Sequence, residues 1–217
     1  MEKEQIKKII EKYRYIFIGE IHGTKEIPNT TFDIVKQIVK ENKIIFCLEL
    51  PQQAEEVLYA YLSSKINKKE LLSSKYLQDA IFDSRINDNI LLMYERLYSA
   101  GVVLKCLENY EIENIDYRDQ EMAKKFLNII KENRVDKYFV YVGGMHALDK
   151  SIQIKNFKIN PINIYLPQEI RDNLLVIQFN RGKKEEIRFY KKTKIINYNL
   201  VLKEVKANYV NYSALKE

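Results

Sequence analysis

The stretch Tyr15–Pro28 reads YIFIGEIHGTKEIP. Its first residues form an apolar run of strand length, which gives way at once to Gly-Glu-Ile-His-Gly-Thr. A buried strand therefore leaves the core on a carboxylate and an imidazole, two residues apart and bracketed by glycines. The chain of 217 residues holds only two histidines, and the second has the same setting. In YFVYVGGMHALD, His146 follows the apolar run Lys137–Val142.

Outward from these two strands the pattern alternates. Ile6, Ile9 and Ile10 have helical spacing and predict a short helix before the first strand, Tyr15–Gly19. Thr24 can cap the next helix and Pro28 suits its first turn. Phe32, Ile34, Val35, Ile38 and Val39 carry that helix to about Glu41. Lys43–Leu50 (KIIFCLEL) is a second strand, ended by Pro51, and Gln52–Leu62 reads as helix. Asp88–Ala100 is a clear amphipathic helix, with Gly101 where a left-handed cap is needed. Val102–Leu107 is the third strand, Asp116–Asn133 a long helix and Lys137–Val142 the fourth strand. Near-continuous apolar strands alternating with helices predict an α/β fold, a largely parallel sheet with helices on both faces. Leu174–Phe179, the turn NRGK and Glu186–Tyr190 predict a C-terminal β-hairpin extension. The whole chain, 1–217, reads as a single domain with its core in 15–150 and a strand-rich extension over 151–217.

Hydrophobic residues make up 46% and charged residues 30%, the composition of a folded protein rather than a disordered one. No apolar run approaches the roughly 18 residues of a membrane span. The N-terminus is charged throughout and lacks the apolar stretch of a signal peptide, so a cytoplasmic protein with no membrane partner is expected. The net charge of +6 is local. Residues 1–180 hold 26 basic and 26 acidic side chains, whereas Arg181–Lys206 holds nine Lys or Arg against three Glu. A basic strand edge discourages edge pairing, and without a recognition motif it argues against a nucleic-acid partner. Cys47 and Cys106 fall inside apolar strands and read as buried free thiols; two lone cysteines make no zinc signature. Oligomeric state leaves no mark in this sequence.

In a parallel sheet every strand's carboxyl end opens on one edge, where such folds place their ligands. The first strand delivers Glu20 and His22 there, the second Glu49, the third Glu108 and the fourth Gly143, Gly144 and His146. Gly19 and Gly143 stand where the backbone turns or lets another group come close. Two imidazoles among carboxylates suit two chemistries. In one, His takes a proton from water while Glu fixes its tautomer. In the other, His22, His146 and Glu49 hold a divalent metal with one position open for water. There is no G-x-S-x-G, G-x-G-x-x-G or phosphate loop.

The set GEIHGTKE, Glu49, FDSR at Phe82–Arg85, YRDQEMA at Tyr117–Ala123 and Gly143–His146 resembles the erythromycin esterase, ChaN and TraB/Tiki superfamily, over roughly residues 15–150. The resemblance implies an α/β fold with a pocket at the strand ends and hydrolysis of an ester, amide or peptide bond. It implies His22 as leading base or ligand, His146 as its partner, and Glu20 and Glu49 as carboxylates. Arg85 and Arg118 become contacts for an oxyanion or substrate carboxylate, with Glu26, Asp83 and Glu108 beside them at the substrate. A small molecule or peptide is the implied partner, and Mn, Co or Zn the implied metal. The alternative on the same scaffold is a haem- or other ligand-binding protein, for which Tyr117 or Tyr141 could serve. The chain is shorter than a full esterase and lacks the large helical part that shapes a macrolide site.

Overall fold

The computed structural model describes residues 3–110, 115–154, 157–181 and 194–200. Helix α1 (Lys3–Ile10) leads into β1 (Tyr15–Glu20), and α2 (Glu26–Lys36) leads on to β2 (Ile44–Pro51). Helices α3 (Glu55–Leu62), α4 (Lys68–Leu72), α5 (Gln78–Phe82) and α6 (Asp88–Ser99) precede β3 (Val103–Glu108). Helix α7 (Ile115–Glu132) and β4 (Lys137–Gly143) follow. Then come a small antiparallel pair, β5 (Ile152–Ile154) and β6 (Phe157–Ile159), the short helix α8 (Gln168–Asp172), β7 (Leu174–Arg181) and β8 (Lys194–Leu200). Six strands form one sheet in the order β3-β2-β4-β1-β7-β8, with every neighbouring pair parallel. Among the described residues no helix is long and apolar enough to cross a membrane.

The strands are apolar without alternation because both of their faces are covered. Ile16, Ile18, Phe46, Leu48, Phe139 and Tyr141 pack on one face with Ile34 and Val35 of α2 and Leu91 and Tyr94 of α6. Tyr15, Phe17, Ile45, Tyr138 and Val140 pack on the other with Met122, Phe126 and Ile129 of α7. Phe126 meets the rings of Tyr15, Phe17 and Tyr138 edge-on, with centroids 5.6–6.1 Å apart. Burying a ring of this size is worth about 1.5–3 kcal/mol, so Phe126→Ala would loosen α7 from the sheet. Cys47 and Cys106 are free and buried, one on each face.

Three expectations change. Helix α2 ends at Lys36, short of Glu41. Thr24 does not cap it: its hydroxyl donates to the Ile21 carbonyl at 2.9 Å and fastens the turn around His22. Leu174–Phe179 belongs to the main sheet, because β7 runs parallel beside β1. The second hairpin strand, Glu186–Tyr190, lies outside the described residues, as does most of the basic stretch Arg181–Lys206. Gly101 does take φ +84°, the left-handed cap that closes α6.

The strand order decides where the site forms. The chain runs from β1 across to β2 and β3, then returns to lay β4 between β1 and β2. That return brings the exit of β4 between the exits of β1 and β2.

Candidate active site

Glu20 is the last residue of β1, 5% exposed, and its Oε1 lies 2.6 Å from His22 Nδ1. The tight turn after the strand swings His22 back over the residue two before it. His22 keeps about a fifth of its side chain open to solvent, at 22%. His146 follows β4 and repeats the arrangement with a different partner. Its Nδ1 lies 2.6 Å from Asp119 Oδ1, in the first part of α7. A carboxylate on Nδ1 fixes the neutral tautomer and leaves Nε2 as the reactive edge.

The two rings come together at Gly143. A Cβ placed on that glycine would stand 3.2 Å from His22 Nε2 and 3.4 Å from His146 Cδ2. A side chain there would push the imidazoles apart, so here the glycine serves close approach. The Gly143 N–H donates to Glu49 Oε2 at 2.5 Å, tying the floor of the site to β2. The register of β2 against β3 shifts between Leu48 and Pro51, and such an irregularity re-aims a side chain at a sheet edge. Glu49 occupies this irregular step and turns its carboxylate toward β4. His146 Nε2 lies 3.6 Å from Glu49 Oε1.

Two guanidiniums hold the buried carboxylates. Arg118 donates from Nε to Glu108 and from Nη2 to Glu49, each at 2.5 Å. Arg85 donates to Glu108 Oε2 at 2.7 Å, to the Glu49 carbonyl at 3.2 Å and to Asp83 at 2.8 Å. Glu49 and Glu108 are 5% and 7% exposed, and burial of such charges is tolerable only when they are paired. The contacts thus unite Glu20, His22, Glu49, Asp83, Arg85, Glu108, Arg118 and His146. Glu26 stands half-buried in the first turn of α2, beyond the strand exit. Arg85 and Arg118, expected at the substrate, are committed to Glu49 and Glu108 instead, and their first role is to neutralise them.

These neighbours set the protonation states. Burial works to lower the His22 pKa, but the Glu20 hydrogen bond and charge outweigh it, with Glu49 and Asp83 adding, and it is pushed up to about 9. Burial likewise opposes charge on His146, which Glu49 and Asp119 nevertheless raise, while Arg118 acts against them. Burial alone would raise Glu49; His146, Arg118, Arg85 and His22 instead hold it well below the usual carboxylate range. The thiols are inert by comparison. Burial pushes both Cys47 and Cys106 up, far from the reactive thiolate form.

A metal held by His22, His146 and Glu49 does not fit this donor set. One Glu49 oxygen is taken by Arg118 and the other by the Gly143 N–H, and two guanidiniums already supply the positive charge. Among the described residues no three His, Cys, Asp or Glu side chains are disposed to hold a metal ion. The groups around the imidazoles are charged, whereas a haem face needs an apolar slot. Tyr141 is buried beside Glu20, and burial together with that carboxylate pushes its phenol well up. Tyr117 is exposed at the start of α7.

Two residues of the site were not singled out from the sequence. Asp119 was visible only as a neighbour of Arg118 in YRDQEMA. Gln178 of β7, whose amide donates to the Gly144 carbonyl at 2.9 Å, left one signal, a lone amide within the apolar run LLVIQF.

This fold recurs among solved structures. The type III effector HopBA1 superposes with a TM-score of 0.62 at 12% identity, covering 91% of this chain and 93% of its own. ChaN of Campylobacter jejuni, described with cofacially bound haem, gives 0.54 at 10% identity, with 84% and 87% covered. The C-terminal region of Pasteurella multocida toxin, described with a thiol-protease-like catalytic triad, gives 0.56 at 11% identity over 82% of this chain and 24% of that one. At such identities the likeness is one of fold, which is the ChaN-like α/β fold. No family profile matches the chain, and no curated protein matches it in sequence.

Proposed function

We propose that the protein is a hydrolase of an ester, amide or peptide bond that works with two histidine–carboxylate dyads, His22–Glu20 and His146–Asp119. The observation that carries this reading is their convergence on Gly143, with both Nδ1 atoms engaged and both Nε2 edges turned away from their carboxylates.

The raised His22 pKa exchanges the roles expected from sequence. At about 9, His22 keeps its proton through neutral pH and suits a general acid. The general base is then His146, whose Nδ1 is held by Asp119 and whose imidazolium, once formed, stands beside Glu49. His146 Nε2 takes a proton from water as the water oxygen bonds to the carbonyl carbon. His22 Nε2–H then gives its proton to the leaving oxygen or nitrogen as its bond to carbon breaks. Proton transfer through solvent from His146 to His22 restores both. The sum is one water consumed and one acid and one alcohol or amine formed. A thiol route like that described for the Pasteurella toxin has no support, since both cysteines are buried and burial holds them in the thiol form.

Haem binding, described for the ChaN neighbour, is less well served by these residues, because the cluster offers charge where a porphyrin needs apolar contact. The test is hydrolysis of a panel of aryl esters and short peptides. His22→Ala and His146→Ala should each lower kcat by about 10²–10⁴-fold. Full activity in either variant would overturn the reading.

A further inference from the structure

We propose that Gln178 is a positioning residue for the site, setting the distance between the two imidazoles from a strand whose other described side chains contribute nothing to it. The proposal rests on the reading of His22 and His146 as an acid–base pair, but its test does not depend on activity alone.

Gln178 lies opposite Gly19 in the β1–β7 register. Its amide occupies the space a side chain on Gly19 would need: a Cβ there would come within 2.6 Å of Gln178 Oε1 and 2.7 Å of Nε2. A side chain on Gly19 would therefore displace the amide, a reason for glycine that the turn alone does not supply. From that niche Gln178 Nε2 donates to the Gly144 carbonyl at 2.9 Å. The Gly144 N–H in turn donates to the Glu20 carbonyl at 2.9 Å, and the His146 N–H to the Gly143 carbonyl at 2.9 Å. Gly144 is thus held from both sides, by β7 through its C=O and by β1 through its N–H. A Cβ on Gly144 would meet Gln178 Oε1 at 3.3 Å and the Glu20 carbonyl oxygen at 3.4 Å, so this glycine too admits the clamp. The clamped peptide adjoins Gly143, the point where both rings meet. Gln178 touches neither imidazole; it acts through the turn that carries His146.

Gln178→Leu removes the donor at nearly constant volume, and Gln178→Glu keeps the shape while facing the Gly144 carbonyl with an oxygen. Gly19→Ala should displace the amide without altering it. Each variant is read in two ways: kcat and KM on an ester the parent hydrolyses, and imidazole NMR, where the two histidines give two assignable signals. We expect kcat to fall about 10–100-fold with KM changed less than about threefold, since a misplacement near 1 Å costs up to about a hundredfold. The His146 resonances and titration should shift in all three variants, with unfolding still cooperative. Wild-type kcat together with unchanged imidazole spectra, or a lowered Tm alone, would overturn the proposal. If Gln178→Leu fails to fold, the isosteric Glu variant carries the same test. If the parent hydrolyses nothing, unmoved His146 signals still overturn the clamp, whereas moved signals support it and leave only the hydrolase reading to fall.

Discussion

The two edges of the same sheet treat buried charge in opposite ways. At the amino-terminal edge Lys137, only 7% exposed, donates to the carbonyls of Ile10, Glu11 and Tyr13 at 2.7–3.2 Å. An ammonium has three donors, and all three are used to close the end of α1. Beside it Asp136 accepts the Lys43 N–H at 2.7 Å, and Arg14 donates to the Val135 carbonyl while lying over the rings of Tyr15 and Tyr138. At the carboxyl-terminal edge the carboxylates and guanidiniums are equally well paired, yet both imidazoles are held at Nδ1 by a carboxylate, with His146 Nε2 standing 3.6 Å from Glu49 Oε1. Burial of charge thus marks both edges, but both imidazoles stand at one of them.

The largest effect that could break this contrast is on turnover. Alongside the single histidine variants, the His22→Ala/His146→Ala double variant should lose little more than either single one, because groups acting as a unit are not additive. Independent, multiplicative losses would separate the two dyads.

Next in size is Glu49→Ala, which leaves Arg118 and Arg85 to share Glu108 as their one remaining buried carboxylate. Removing one member of such a network costs about 3–5 kcal/mol, measurable by urea unfolding. A change below about 1 kcal/mol would mean that the carboxylates are solvated rather than paired.

Glu20→Gln tests the electrostatics. His22 should titrate well below about 9, toward its ordinary value near 6.5. Its folded-state pKa is raised, so its contribution to stability is full below about 6.5 and disappears as pH rises through about 9. Wild-type stability should therefore decline across that window, and the decline should be much reduced in Glu20→Gln. Glu49, with its pKa depressed, contributes stability that is present above the ordinary carboxylate range and is lost as pH falls toward its folded value. In turnover the alkaline limb of kcat/KM should lie near 9, reporting His22 as acid. A titration of His22 unchanged by Glu20→Gln would remove the first dyad.

The smallest effects sharpen the comparison. Lys137→Met should cost about 1–3 kcal/mol, the penalty for carbonyls left without a donor, with kcat of the folded enzyme unchanged. A chelator should leave hydrolysis at its starting rate, since Glu49 has both oxygens engaged; lost activity restored by a divalent ion would reinstate a metal.

Much of this was readable in the sequence, and for a definite reason. A strand buried on both faces cannot hide its register of apolar residues, so Tyr15–Gly19 and Lys137–Val142 announced themselves, and their exits carried both histidines. What the sequence withheld depends on tertiary direction. Arg118 and Asp119 are adjacent on α7, and only the packed helix sends one to Glu49 and Glu108 and the other to His146. Gln178 was hidden because an amide in a strand has no chemical role until its neighbour across the sheet is known to be Gly19. Thr24 misled because a hydroxyl before a helix resembles a cap, whereas here the Ile21 carbonyl, three residues back, competes for it.

The order of strands also has a consequence for how the chain is made. Strand β1 is synthesised before every other strand of the sheet, yet its two sheet neighbours are β4 and β7, which arrive more than a hundred residues later. With ribosomal elongation at about 5–20 residues per second, β1 waits on the order of ten seconds with both edges unpaired. During that interval the nascent segment YIFIGE is an apolar ribbon open on two sides, suited to capture by a chaperone. Its own carboxylate and the charges that precede it, Lys12 and Arg14 among them, discourage pairing with a neighbouring chain on the same message.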